Sequence, residues 1–365
     1  MADAVRRMHV SGDGYYTRRC AEFLENLTGA YKALLTTSCT HALEMAAILL
    51  DLVPGDEVIM PSFTFVSTAN AVVLRGARPV FVDIRPDTLN IDERLVEAAI
   101  TSRTKALVVV HYAGVACDMS VIGEIALRRG IVIIEDNAHG LFGSYRGKPL
   151  GSFGTFATQS FHETKNVICG EGGALLVNDE RLVERAEIVR EKGTNRSRFF
   201  RGQIDKYTWV EPGSSYLSSD LLAGFLLAQL QAAERIQTHR RAIWERYHRE
   251  LSAWAVVNGA TQPTVPAECG QAYHMYYLIL ATGTARDGLI EVLRERDITA
   301  VFHYVPLHMS EYGRTLGYAA GDFPVTESCA DRLVRLPLYN DMTCDDQTRV
   351  IETVTAFAAT TSWVL

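Results

Sequence analysis

At 365 residues, 48% hydrophobic and 22% charged, the chain exceeds one ordinary core and suits two domains, while its net charge of −7 argues against broad contact with nucleic-acid phosphates. Seven cysteines without any C-x-x-C spacing disfavour a zinc ribbon, a thioredoxin-like motif or a full disulfide framework, and suit a reducing compartment. No apolar signal segment opens the chain and no run approaches the roughly 18 apolar residues of a membrane span, so the expectation is a cytoplasmic protein with neither membrane nor nucleic acid as partner, and no metal.

Residues 1–14 are polar and read as an arm rather than a packed element. Gly12-Asp13-Gly14 lacks both a preceding strand and the last glycine of a dinucleotide loop, and carries no weight. Thr17 to Asn26 reads as an amphipathic helix with Cys20, Phe23 and Leu24 on one side. Ala33-Leu34-Leu35 is a short strand leading through Thr36-Thr37-Ser38-Cys39-Thr40 into a helix from Ala42 to Leu50. Unpaired N–H groups at the positive end of such a helix make a ready phosphate site. Plain capping by Ser38 or Thr40 explains the same residues, and both readings stand.

Strands are expected over 58–60, 79–83, 106–111 and 131–136, with a helix from Ala69 to Leu74 after Pro61-Ser62-Phe63-Thr64-Phe65. Strands alternating with helices imply a largely parallel, doubly wound sheet, whose ligands gather beyond the carboxyl ends of the strands. Phe65, His111, Asp136 and the 36–40 turn all fall near such ends. His139 follows Asp136 closely enough to touch a ligand held there, although an ordinary structural histidine reads the same way. A glycine-rich loop over 145–154 precedes a strand over 157–161, and Lys165 comes just after it. Gly170-Glu171-Gly172-Gly173 and a strand over 174–177 follow.

Arg181 to Lys192 is a charged helix. The basic, aromatic stretch 193–209, with Arg196 and Arg201, reads either as a loop that receives a diphosphate or as a subunit contact. From Ser218 to Ala255 the chain is largely helical, apolar first and charged later, which suits a connector between a large domain over 1–240 and a small α+β domain over 241–365. In the latter, strands are expected at 275–280 and 301–304 around a helix at 286–296.

A lysine in a tight turn and a strand-end aspartate form the constellation that pyridoxal phosphate requires: an amine to bond its aldehyde, and a carboxylate to keep its ring nitrogen protonated. Lys165 and Asp136 are that pair. Around them, Pro61-Ser62-Phe63-Thr64-Phe65, Glu135-Asp136-x-Ala138-His139, Ser160-Phe161-His162-x-x-Lys165, Gly170-Glu171-Gly172-Gly173 and His303-Tyr304-x-Pro306-Leu307-His308 resemble the DegT/DnrJ/EryC1/StrS family of sugar aminotransferases. The likeness runs from about Gly12 along essentially the whole chain.

The resemblance implies an α/β enzyme of fold type I dependent on pyridoxal 5′-phosphate (PLP). It makes Lys165 the Schiff-base lysine and proton shuttle, and Asp136 the partner of the ring nitrogen. Phe65 and His139 lie by the ring; Ser160 with the backbone of Cys39 and Thr40 holds the phosphate. Substrate contacts are expected from His162, Arg196, Arg201 and His308. Longer runs, among them Gly55–Ser62, Val110–Cys117 and Phe200–Gln203, are similar to members that move an amino group from L-glutamate to C4 of dTDP-4-dehydro-6-deoxyglucose. The galacto product is favoured over the gluco epimer. A rival within the family, the dehydratases, carries His in place of the lysine, and a non-catalytic nucleotide-sugar-binding protein would purify colourless. Fold-type I sites borrow residues from a second subunit, so a homodimer is expected. Relatives read Gly-x-Asn-x-Arg where this chain has Gly213-Ser214-Ser215-Tyr216-Leu217; Ser215 offers one hydroxyl in place of the Asn, and Leu217 cannot replace the Arg.

Overall fold

The computed structural model describes residues 1–358; residues 359–365, the end of the expected small domain, lie outside the described residues. Seven strands build the central sheet: β1 (Lys32–Thr36), β2 (Glu57–Pro61), β3 (Arg78–Val82), β4 (Thr104–Val110), β5 (Val132–Asp136), β8 (Phe156–Ser160) and β9 (Gly173–Val177). Each falls within two residues of a segment expected from the sequence. Two short strands, β6 (Ser144–Tyr145) and β7 (Lys148–Pro149), form a hairpin in the glycine-rich loop.

The order across the central sheet is β1-β9-β8-β5-β4-β2-β3, and only β9 runs against its neighbours. Alternation explains why these strands are apolar throughout. Ala106 and Val108 of β4 pack on one face with the helix Cys39–Leu49, whereas Leu107 and Val109 pack on the other with the helix Met119–Arg129. Thus the carboxyl ends of β1, β2, β4, β5 and β8 all emerge along one edge.

The stretch 218–255 is three helices, Asp220–Gln231, Ala233–Glu250 and Ser252–Val257, with Ala232 and Leu251 each ending one and starting the next. Leu226, Leu230 and Ile236 pack beside the central sheet, but Ile243, Trp244 and Tyr247 join a separate core with helices Gly283–Arg294 and Cys344–Ala356. That core covers one face of a two-stranded antiparallel sheet, β11 (Tyr276–Ile279) with β12 (Leu333–Leu336); the strand β10 (Cys269–Gly270) pairs with β6 instead. Tyr277 and Ile279 turn the other way, onto Phe63, Ile84 and Tyr112. The strand expected at 301–304 reduces to a single bridge between Val301 and Arg335. The arm expected over 1–14 is partly packed: a short helix, Ala2–Arg6, buries Ala4, and Asp3 accepts from Tyr16 at 2.7 Å. Among the described residues no helix is long and apolar enough to cross a membrane, and no cluster of His, Cys, Asp or Glu suits a metal ion.

Candidate active site at the carboxyl edge of the sheet

β5 ends in two carboxylates that alternation sends in opposite directions. Glu135 points into the protein, where it accepts from the amides of Gly151, Phe153 and Gly154 and meets the buried ring of His111 at 3.0 Å. His111 is therefore a fastening for the 151–154 loop and not a lining of the site. Asp136 points the other way. Its Oδ2 accepts from Thr68 at 2.7 Å and its Oδ1 from the amide of Ala138 at 3.3 Å. Burial pushes its carboxyl above the usual range, against the pull of Thr68, Ala138 and Lys165.

Lys165 sits in a folded loop between β8 and β9. The amides of Phe161 and Glu163 donate to the carbonyls of Gly172 and Gly170, and the amide of Lys165 donates to His162. Gly170, at φ +86°, provides the left-handed residue that closes this loop. Burial lowers the amine from 10.5 to about 8, with Arg335 adding repulsion, while Cys39 and Asp136 oppose the drop. Such an amine is still mostly charged near physiological pH, but its neutral fraction there is far larger than that of an ordinary lysine.

The turn after β1 forms the third wall. Ser38 caps the helix Cys39–Leu49 by accepting from the amide of His41 at 3.1 Å. The capping and phosphate readings hold together, since one cap leaves other first-turn N–H groups without helical partners. Gly173 lets β9 start directly against this turn: a Cβ there would lie 2.4 Å from the Cys39 nitrogen.

One cavity of about 590 Å³, in the range of small-molecule sites, collects these groups. Cys39, Thr40, Phe65, Asp136, His139, Ser160, His162 and Lys165 all line it. Phe65 is 58% exposed at the mouth, and His162 stands beside Glu171 at 3.6 Å. His139 stacks on His274 at 4.3 Å, and its Nδ1 is buried without a partner. His274 is fixed by Asn166 at 2.9 Å, and Tyr112 meets His303 at 2.9 Å. Burial holds His139 and His274 well below the usual histidine range and His303 down to about 2, so this wall is uncharged.

Other expected site residues lie elsewhere in this chain. His308 is fully buried, its ring held by Ser62 at 2.7 Å and Glu327 at 3.0 Å, so it braces a loop and offers no surface to a substrate. Arg196, Arg201 and Ser215 line a second cavity, of about 840 Å³, that does not include Lys165. The sequence reading missed Thr68, His274 and Arg335. Of these, only Arg335 carried a signal: a charge inside the apolar run Leu333-Val334-Arg335-Leu336.

The family model described as the DegT/DnrJ/EryC1/StrS aminotransferase family matches residues 1–355. The spore coat polysaccharide biosynthesis protein SpsC of Bacillus subtilis is 37% identical over 334 residues, 89% of this chain and 85% of its own. DesV of S. venezuelae, solved in complex with a ketimine intermediate, is similar with a TM-score of 0.88 at 31% identity, covering 98% of this chain and 92% of that one. Spr1654 of Streptococcus pneumoniae, solved in a PLP form and a PMP form, gives a TM-score of 0.90 at 26% identity over 97% of this chain and 94% of that one. With a match that spans both cores and every strand of the central sheet, the protein belongs to the DegT/DnrJ/EryC1/StrS aminotransferase family.

Proposed function

We propose that this enzyme moves an amino group from L-glutamate to C4 of dTDP-4-dehydro-6-deoxyglucose, giving the galacto form of dTDP-4-amino-4,6-dideoxyhexose. As a member of its family it is a PLP-dependent sugar aminotransferase. The nucleotide sugar, the donor and the stereochemistry rest on the runs quoted above, with SpsC, a polysaccharide biosynthesis protein, as a consistent relative.

The residues present fit the cofactor. An unpartnered, buried His139 Nδ1, a helix start cleared by Gly173 and a buried strand-end carboxylate share the cavity of Lys165. When bound, PLP supplies an aldehyde that condenses with amines and a ring that withdraws electrons from the carbon beside them. Lys165 would bond that aldehyde, and its Nζ would take a proton from the donor's α-carbon to the cofactor's aldehyde carbon in the first half-reaction and from that carbon to C4 of the sugar in the second, which its lowered basicity permits near neutral pH. Asp136 holds the proton on the ring nitrogen; a cation there offsets the burial that otherwise disfavours its charge. Ser160 and the amides of Cys39 and Thr40 bind the phosphate, while Phe65 and His139 flank the ring. Ser215, Arg196 and Arg201 enter this scheme from the second subunit of a homodimer.

The juxtaposition of Lys165 and Asp136 in one cavity carries this reading. Its test is incubation of the PLP-loaded enzyme with L-glutamate and a panel of dTDP-ketosugars, with NMR assignment of C4 in the product. Amination of the 4-keto-6-deoxy sugar with the new amine axial supports the proposal. An equatorial amine overturns the stereochemistry, and turnover of only other ketosugars overturns the substrate.

A further inference from the structure

Asn166, next in the chain to Lys165, is buried, and its polar groups reach across to the segments that frame the β11–β12 sheet. Its Nδ2 donates to the carbonyl of Ala272 at 2.6 Å, and its Oδ1 meets Nδ1 of His274 at 2.9 Å, both just before β11. Its own carbonyl accepts from Asn340, which follows β12, at 3.0 Å. A backbone carbonyl only accepts, so Ala272 decides which way the Asn166 amide faces, and His274 is then the donor to its oxygen. Arg240 sets this frame from the helix Ala233–Glu250. Itself 2% exposed, it donates to the carbonyls of Tyr273 and His274 at 3.0 and 2.5 Å and to Oδ1 of Asn340 at 2.9 Å. One buried guanidinium therefore joins the two segments that grip Asn166.

The backbone bonds that close the 161–172 loop run from one of its residues to another: Phe161 to Gly172, Glu163 to Gly170, Lys165 to His162 and Cys169 to Phe161. Val167 packs with the core on the central-sheet side, whereas Asn166 ties the same loop to the frame of the other core. The loop that carries the amine is thus held between the two cores. An amine that forms, releases and re-forms a bond at one carbon depends on such restraint, since a misplacement of about 1 Å can cost roughly 10²-fold in rate. We infer that Asn166 is a positioning residue, which aims the Lys165 amine by fastening its loop to 272–274 and to Asn340. The inference rests on Lys165 being the lysine that bonds the cofactor, as proposed above.

The test compares wild type with Asn166→Ala, using two cofactor forms that differ only at the group facing the lysine. PLP presents an aldehyde that bonds the amine; pyridoxamine phosphate presents an amine of its own and binds without that bond. Capture of PLP by the full-length protein is followed by growth of the visible band, and pyridoxamine phosphate is titrated by calorimetry. Asn166→Ala should slow PLP capture by roughly 10²-fold while the Kd for pyridoxamine phosphate stays unchanged. Should that variant fail to fold, Asn340→Ala decides in the same sense, with a slowing of roughly 10-fold for the one bond to Asn166 that it removes. Unchanged PLP capture in a folded variant overturns the inference. So does a parallel loss of both cofactor forms, which would leave Asn166 a part in the fold alone. Borohydride labelling of the wild-type holoenzyme separates the two failures. A label on another lysine sinks the assignment of Lys165 and this inference with it, whereas a label on Lys165 with unaltered capture in the variant sinks the inference by itself.

Discussion

The two cavities described above handle charge differently. In the larger, of about 840 Å³, each arginine named as a substrate contact already has a carboxylate: Arg196 meets Glu191 and Arg201 meets Glu187, both at 2.8 Å, and the neighbouring Arg190 meets Asp13 at 2.7 Å. In the smaller, of about 590 Å³, Lys165 and Arg335 make no ion pair among the described residues, and Asp136 is met there by a hydroxyl and an amide. Half-exposed ion pairs contribute about 0–1 kcal/mol each and are easily exchanged for other partners. Buried groups without counter-charge cost far more, and persist where a ligand completes them. Size alone would have chosen the wrong cavity for the chemistry; unsatisfied charge chooses the one at the carboxyl edge of the sheet.

The sharpest way to break this comparison is to remove the amine. Lys165→Ala should lower turnover by roughly 10⁴-fold, the upper end of what a positioned proton carrier contributes, in an assay of glutamate-dependent sugar amination. Asp136→Asn should come next, with kcat down by about 10²–10³-fold and no loss in thermal midpoint, because a charge aimed at the reacting system is lost while the shape is kept. The acidity of Lys165 gives a signed pH effect. Its conjugate acid is lowered to about 8, so the neutral amine predominates above that pH and the charged form below. Capture of PLP by apo-enzyme, followed by absorbance, should therefore level off above about pH 8 and fall about tenfold per unit below it; an ordinary lysine would keep rising toward 10.5.

Smaller effects sharpen the account. Gly173→Ala puts a methyl group against the backbone of Ser38 and Cys39, and should destabilise the protein by about 1–3 kcal/mol while weakening PLP binding in a fluorescence titration. In the larger cavity, Arg201→Ala should change the thermal midpoint little, consistent with an ion pair worth at most about 1 kcal/mol. It should leave the glutamate half-reaction untouched while raising the KM for the nucleotide sugar.

Much of this arrangement was legible in the chain. Apolar runs bounded by turn residues marked all seven strands of the sheet, because buried strands have no polar face to confuse the pattern. Asp136 and Lys165 were visible because each stands at the end of such a run. What stayed hidden depends on alternation and on distance. Nothing local says that Glu135 turns inward to three amides while Asp136 turns outward, nor that His308 is consumed by Ser62 and Glu327. The β12 strand was missed since a charge interrupts its short apolar run, and with it Arg335, whose placement needs the pairing with β11. The capping box at Thr343 and Asp346 was a local signal for the last helix that went unused.

The most direct measurement of the central claim is chemical. Holoenzyme reduced with borohydride, digested and mapped by mass spectrometry should carry the reduced cofactor on the peptide containing Lys165, with none on any other lysine. A label on any other lysine would contradict the assignment of this cavity as the catalytic one.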